Sequence, residues 1–251
     1  MPPHRFYLPP EQCRAPELML AGREAHHALH VLRLRPGDRV IVLDGEGQQV
    51  LGEIQAHDRD KIRVGIIERR SIPPPACQIT LLQALPKGKL IESIIEKATE
   101  LGALRVVPLL SERVVTRVSQ KRLDKTPRWQ LTALEAIKQC GSAWLPKVEP
   151  PITPAEFLAR KENFDLALLA SLQPGAKHPR EYFRQFREQH GHLPQSLCVW
   201  VGPEGDFTPA EVQAIQAAGT LPITLGPLVL RTETAAIYCL SILSYELQAT
   251  G

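Results

Sequence analysis

Apolar positions follow two different rhythms along this chain, and the change falls near residue 73. Arg39–Leu43 (RVIVL), Gln49–Ile54 and Lys61–Ile67 are short β-branched runs, separated by Asp44-Gly45-Glu46-Gly47 and by His57-Asp58-Arg59-Asp60. Turn residues at such close intervals predict the hairpins of a small β-barrel rather than βαβ units. Ahead of them, Ala28, Leu29, Val31 and Leu32 crowd within Glu24–Leu34 as in a short helix packed on that barrel. Ser71-Ile72-Pro73-Pro74-Pro75 is the clearest break, because consecutive prolines continue neither a strand ladder nor a helix interior. The expected domains are therefore residues 1–72 and 73–251.

Beyond the prolines the helical period appears. Gln78–Leu85 reads as a buried strand; Leu90, Ile91, Ile94, Ile95, Ala98 and Leu101 then recur at helical spacing until Gly102. Strand patterns at Leu104–Leu110, Phe164–Ala170, Leu197–Val201 and Ile223–Leu225 alternate with helix patterns at Pro127–Cys140, His178–His190, Thr208–Gly219 and about Thr232–Leu247. Such alternation predicts an α/β domain with a largely parallel sheet. Thr208-Pro209-Ala210-Glu211 carries a cap, a first-position proline and a capping-box acid.

Two glycine loops, Gly202-Pro203-Glu204-Gly205 and Gly226-Pro227-Leu228-Val229-Leu230-Arg231, follow parallel strands, so both emerge at carboxyl ends, where open α/β sheets bind ligands. They imply one pocket. Neither has the spacing of a phosphate cradle. Glycine here either lets backbone approach a flat uncharged ring such as adenine, or makes ordinary tight turns.

Composition narrows the class. No apolar run approaches the ~18 residues of a membrane span, and MPPHRFYLPP lacks a signal-peptide layout; a cytoplasmic protein is expected. Cys13, Cys77, Cys140, Cys198 and Cys239 are scattered without a CxxC pair and suggest small core residues rather than disulfides or zinc. His26 with His30, and His190 with His192, lack further ligands, so no metal is expected. The net charge of +3 decides little, but its distribution matters. Arginines punctuate the first domain at Arg5, Arg14, Arg23, Arg33, Arg35 and Arg39, and Arg113, Arg117, Lys121, Arg122, Lys125 and Arg128 face only Glu112 and Asp124. Either set is a solvated surface or an RNA footprint. Lys87, Lys89 and Arg113 follow strands of one sheet, which favours the footprint.

GPEG after a strand, and LGPLVLRTETAA before the last helix, resemble the carboxyl-terminal signature of SPOUT methyltransferases. With His30-Val31-Leu32-Arg33, Pro36-Gly37-Asp38, Glu96–Gly102 and Ser111-Glu112-Arg113, the chain is similar to the RsmE-like family, which methylates N3 of a uridine in 16S rRNA. The resemblance implies a trefoil-knotted SPOUT methyltransferase domain preceded by a PUA-like RNA-binding barrel. It implies S-adenosylmethionine as cofactor, 16S rRNA or the 30S subunit as partner, and a homodimer whose active sites are completed across the interface. Backbone around Leu169, Gly202, Pro203, Gly205, Leu225, Gly226 and Leu230 would enclose the adenosine. Arg5, Arg33, Lys87, Lys89, Arg117 and Arg122 would position RNA.

The uridine N3 imide is a poor nucleophile until its proton leaves, so the reaction needs a base or a cation that stabilises the uridinate. Arginine, with a pKa above about 12, is no base. Arg231 and Arg113 are therefore candidates for charge stabilisation, and Glu233 and Glu204 for proton acceptance or for orienting those arginines. One departure stands out: where the family carries Glu-Gln-x-x-Arg, this chain has Lys138-Gln139-Cys140-Gly141-Ser142. If that Arg holds the base, another cation such as Lys138 replaces it, or activity is impaired. A SPOUT enzyme of ribose 2′-O specificity, and a non-catalytic RNA-binding or ribosome-assembly factor, remain alternatives.

Overall fold

A computed structural model describes residues 3–115, 125–173 and 175–248. They gather in two compact units, Met1–Pro74 with Leu134–Leu145, and Pro75–Ala133 with Pro146–Gly251. The first unit thus recruits a segment far outside the amino-terminal pattern.

The first unit holds β1 (His4–Tyr7), α1 (Pro10–Cys13), β2 (Leu18–Ala21), α2 (Gly22–His26) with a π turn over His27–Val31, β3 (Arg39–Leu43), β4 (Gln48–His57) and β5 (Lys61–Ser71). Strand order is β1-β3-β4-β5-β2. The expected small barrel takes the form of a curled half-barrel, a five-stranded sheet with β1 and β2 at opposite edges. These edge strands are only four residues long, too short for a two-residue period to reveal. Alternate residues Val40, Val42, Val50, Ile54, Ile62 and Val64 point inward onto Phe6, Leu18 and Leu20. The expected helix over 24–34 ends early, since Arg33 turns left-handed at φ 56°.

The second unit runs β6 (Gln78–Ala84), α3 (Leu90–Glu100), β7 (Ala103–Leu109), α4 (Glu112–Val115), α5 (Thr126–Cys140, its last seven residues in the first unit), β8 (Lys147–Val148), α6 (Pro154–Ala159), β9 (Leu166–Ala170), α7 (Pro179–His190), β10 (Ser196–Val201), α8 (Pro209–Ala217), β11 (Leu221–Ile223) and α9 (Thr232–Gln248). The sheet order is β11-β9-β10-β6-β7-β8, and every pairing is parallel, as the alternation predicts. The strands before the glycine loops are not neighbours, because β9 lies between them. Residues 224–231 must therefore run back across the carboxyl ends of β9 and β10 to begin α9.

Local chemistry fixes several of these elements. Thr208 accepts from the Glu211 N–H while Glu211 accepts from the Thr208 N–H, closing the capping box at the start of α8 and contributing about 1 kcal/mol. Beyond β8, Glu149 is almost fully buried and accepts from Arg105 at 2.8 Å and Arg160 at 2.7 Å. Burial works against its charge, but those two hydrogen bonds outweigh it and hold the Glu149 carboxyl below the usual carboxylate range. Cys13, Cys77, Cys198 and Cys239 are buried as expected, whereas Cys140 is exposed at the end of α5. Burial pushes the Cys198 and Cys239 thiols up to about 12, so neither supplies a thiolate. Among the described residues no helix is long and apolar enough to cross a membrane, and no three His, Cys, Asp or Glu residues are grouped to hold a metal.

Candidate active site

Both glycine loops line one chamber of about 250 Å3 at the carboxyl ends of β9, β10 and β11. Its walls are Ala170–Leu172 after β9, Val201–Asp206 after β10, and Leu225, Gly226, Leu228–Leu230 and Thr232 from the returning segment. Gly202 is required by a close approach: a Cβ there would lie 2.7 Å from Asp206 Oδ1, and that oxygen accepts from the Phe207 N–H at 2.8 Å. Gly226 sits at φ 104°, a conformation open to glycine, with nothing within 4 Å of where its Cβ would be.

One hydrogen-bonded relay holds the two loops together. Thr232, at the start of α9, donates its hydroxyl to the Gly202 carbonyl at 2.7 Å and accepts from Gln83 Nε2 at 2.9 Å. Gln83 is fully buried in the centre of the sheet and also donates to the Ala84 carbonyl. Its Oε1 has no partner among the described residues.

The chamber's charge is informative. Glu204 and Asp206 are the charged residues among its described walls, and no cation lines it. A phosphate would meet carboxylates there. A flat neutral ring carrying a positive group would instead meet backbone, apolar side chains and a negative rim. The adenosyl sulfonium of S-adenosylmethionine has this character, so the residues fit the cofactor that the resemblance implies.

A second, smaller chamber of about 190 Å3 shares Pro203, Glu204 and Gly205 with the first and is completed by Leu85, Pro86, Lys87, Arg113 and Val114. Glu204 Oε1 accepts from the Lys87 N–H at 2.8 Å. Arg113 approaches the Asp206 carbonyl at 3.5 Å, and its Cδ would lie 3.4 Å from a Cβ on Gly205. The placement of Arg113 depends on Glu211, whose other oxygen accepts from the Glu112 N–H at 2.9 Å. The sequence shows Glu211 as a capping acid; its grip on the segment carrying Arg113 lies across 99 residues and has no local signal.

The predicted residues divide accordingly. Gly202, Pro203, Gly205, Leu225, Gly226 and Leu230 line the first chamber, Glu204 lines both, and Arg113 and Lys87 line the second. Leu169 does not line it: its side chain is buried in the core with Trp200 and Phe157, and the next three residues form the wall. Arg231 and Glu233 line neither chamber; Arg231 is exposed, and its carbonyl accepts from the Ala235 N–H at the start of α9. Lys89 is exposed just before α3. Arg117 and Arg122, with Lys121 and Asp124, lie outside the described residues.

Two expectations in the first unit need correction. Arg5 donates to the carbonyls of Lys138 and Gln139 at 3.3 and 3.0 Å, closing the last turn of α5 rather than standing free for phosphate. Lys138, suggested as a replacement cation, is buried and donates to Glu24 at 2.7 Å and Glu135 at 3.0 Å. Ser142 is also occupied, exchanging hydrogen bonds with the backbone of Trp144. Arg33 is exposed, in a groove with Arg35 and Arg59.

A parallel sheet whose carboxyl edge carries a cation-suited chamber beside a basic one defines an RNA methyltransferase: the family model described as RNA methyltransferase domain matches residues 73–244, and that described as RNA methyltransferase PUA domain matches residues 20–67. Ribosomal RNA small subunit methyltransferase E of Bacillus subtilis is 33% identical over 239 residues, 92% of this chain and 91% of its own. The chain belongs to the ribosomal RNA small subunit methyltransferase E family. The protein of that name from Synechocystis is 33% identical over 98% of this chain and 78% of its own. Among solved structures, a Legionella pneumophila methyltransferase in complex with the cofactor SAM superposes with a TM-score of 0.85 at 29% identity, covering 100% of this chain and 99% of that one. The Neisseria gonorrhoeae family member bound to S-adenosyl methionine gives 0.82 at 27%, covering 97% of each chain.

Proposed function

We propose that this protein transfers the methyl group of S-adenosylmethionine to N3 of a uridine in 16S rRNA, in the cytoplasm. The observation that carries the reading is the chamber where both glycine loops meet, walled by backbone and apolar side chains with carboxylates as its charged groups. The loops hold the adenosyl group through backbone contacts, and the carboxylate rim favours the sulfonium. Methyl transfer needs alignment of nucleophile, carbon and sulfur with water kept out, which the returning segment over the chamber supplies. Arg113 and Lys87 beside the second chamber meet RNA phosphate or developing negative charge, as do Lys89 and Arg231 of the same unit and Arg33 of the first unit.

In this reading α9 passes through the loop around Leu225–Leu230 to form the SPOUT trefoil knot; the start of α9 against β6 and β10 rather than beyond β11 supports it. The protein acts as a homodimer: Leu228 and Val229 are 72% and 79% exposed beside the chamber, and Tyr245 on α9 is 65% exposed, large apolar side chains that a second copy would cover. Incubation of 16S rRNA, free or in 30S subunits, with methyl-labelled cofactor, followed by nucleoside mass spectrometry, tests the reading. N3-methyluridine is the expected product; label on a ribose oxygen, or S-adenosylmethionine binding without transfer to either RNA, would reject it.

A further inference from the structure

From the second chamber we infer that it is the base pocket of this enzyme, selecting an imide base and deprotonating it through Glu204. The inference rests on the methyl-transfer reading above. The chamber's polar lining is two donors, Lys87 and Arg113, and one acceptor, Glu204; Glu204 touches Lys87 through its Oε1 and Arg113 lies against the adjacent Gly205, which puts the acceptor between the donors. The Watson–Crick edge of uracil runs O2, N3–H, O4, an acceptor, a donor and an acceptor. These patterns complement one another. Cytosine, with an acceptor at N3 and an amino group at C4, would set acceptor against acceptor at Glu204 and donor against donor at one cation.

The shared wall supports the same assignment. Pro203, Glu204 and Gly205 border both chambers, so a base in the smaller one lies across one short loop from a cofactor in the larger. Leu85, Pro86, Val114 and Pro203 give the chamber apolar surfaces for the faces of a ring. Glu204 is held in place by the Lys87 N–H on Oε1, and Arg113 by the Glu211 contact with the Glu112 N–H. Both polar groups are thus oriented by backbone bonds before any substrate arrives.

The chemistry balances. The N3–H proton passes to the Glu204 carboxylate, and Arg113 and Lys87 stabilise the negative charge then shared by O2 and O4. The N3 lone pair forms the new bond to the methyl carbon as the carbon–sulfur bond breaks, and that electron pair remains on sulfur, giving the neutral thioether. Glu204 afterwards releases its proton to solvent.

Two variants are compared with wild type, each assayed for S-adenosylmethionine affinity by calorimetry, RNA affinity by filter binding and methyl transfer. Glu204→Gln should weaken S-adenosylmethionine and RNA affinity no more than about tenfold but lose about 100-fold or more in turnover. Its remaining rate should climb as pH rises toward the ionisation of the imide itself, where wild type has levelled off. Val114→Phe, which fills the chamber, should also abolish transfer while the cofactor still binds; its melting curve identifies a folding failure. A 16S fragment carrying 4-thiouridine at the modified position, irradiated with wild-type protein, should cross-link to peptides containing Leu85–Lys87 or Arg113–Val114. Wild-type rates and an unchanged pH profile in Glu204→Gln, or cross-links mapping elsewhere, would overturn the base-pocket assignment while leaving the methyltransferase reading intact. A wild-type protein inactive on every RNA would instead remove the reading beneath it.

Discussion

Replacing Thr232 with Val tests the relay that joins the two loops of the cofactor chamber. The substitution keeps the shape of the side chain but removes the donor to the Gly202 carbonyl at 2.7 Å and the acceptor for Gln83 Nε2 at 2.9 Å. Thr232 is 3% exposed and Gln83 fully buried, so water cannot readily replace what is lost. Leaving buried polar groups unpaired costs about 1–3 kcal/mol; about 2 kcal/mol corresponds to a fall in Tm of roughly 4–8 °C for a chain of this size. With the loops no longer tied, S-adenosylmethionine affinity should drop about tenfold, or about 1.4 kcal/mol. Thr232→Ser keeps the hydroxyl and loses one buried methyl group, costing about 0.8 kcal/mol with little change in affinity. Thermal denaturation and calorimetry on Thr232→Val, Gln83→Leu and the double variant complete a cycle, in which the double change should cost clearly less than the two single costs added. Strict additivity, or wild-type cofactor affinity in Thr232→Val, would refute the relay.

Further outcomes follow from other contacts. Gly202→Ala places its Cβ 2.7 Å from Asp206 Oδ1, so that carboxylate must leave the Phe207 N–H or the loop must shift; titration with S-adenosylmethionine should show affinity about tenfold weaker, while the melting point of the second unit changes little. Lys138→Ala leaves Glu24 and Glu135 without their shared ammonium and should cost about 3 kcal/mol in denaturant unfolding. The salt dependence of RNA binding should stay unchanged, because that ammonium is committed inside the first unit. The Glu149 carboxyl is depressed in the folded chain, so its stabilisation is present above the unfolded value of about 4.3 and is lost as pH falls through the lower folded value. Glu149→Gln should therefore be less stable at neutral pH and show a shallower acid limb in melting points taken between pH 3 and 7.

What the sequence makes legible is what neighbouring residues decide. The start of α8 is readable because Thr208, Pro209 and Glu211 act within one turn, and the parallel sheet because strand and helix periods alternate. The shared chamber of the two glycine loops follows from that parallelism. The reading fails where the partner is distant in sequence or the element is short. Lys138 and Arg5 look like spare cations, yet their partners lie 114 and 134 residues away. Leu169 is the penultimate residue of a strand covered on both faces, so its side chain packs in the core and the chamber wall begins one residue on, at Ala170. The four-residue β1 and β2 are too short for their period to be read, so the pattern shows the barrel's long hairpin strands and misses its edges.

The tie between Gln83 and Thr232 spans 149 residues, and it bears on how the molecule comes into being. As synthesis proceeds, the central strand emerges early, yet the roof of the cofactor site waits until α9 begins. Closing so wide a loop is entropically slow. A nascent chain therefore carries a finished amino-terminal sheet long before it can bind S-adenosylmethionine, and the cofactor itself becomes a reporter of completed folding.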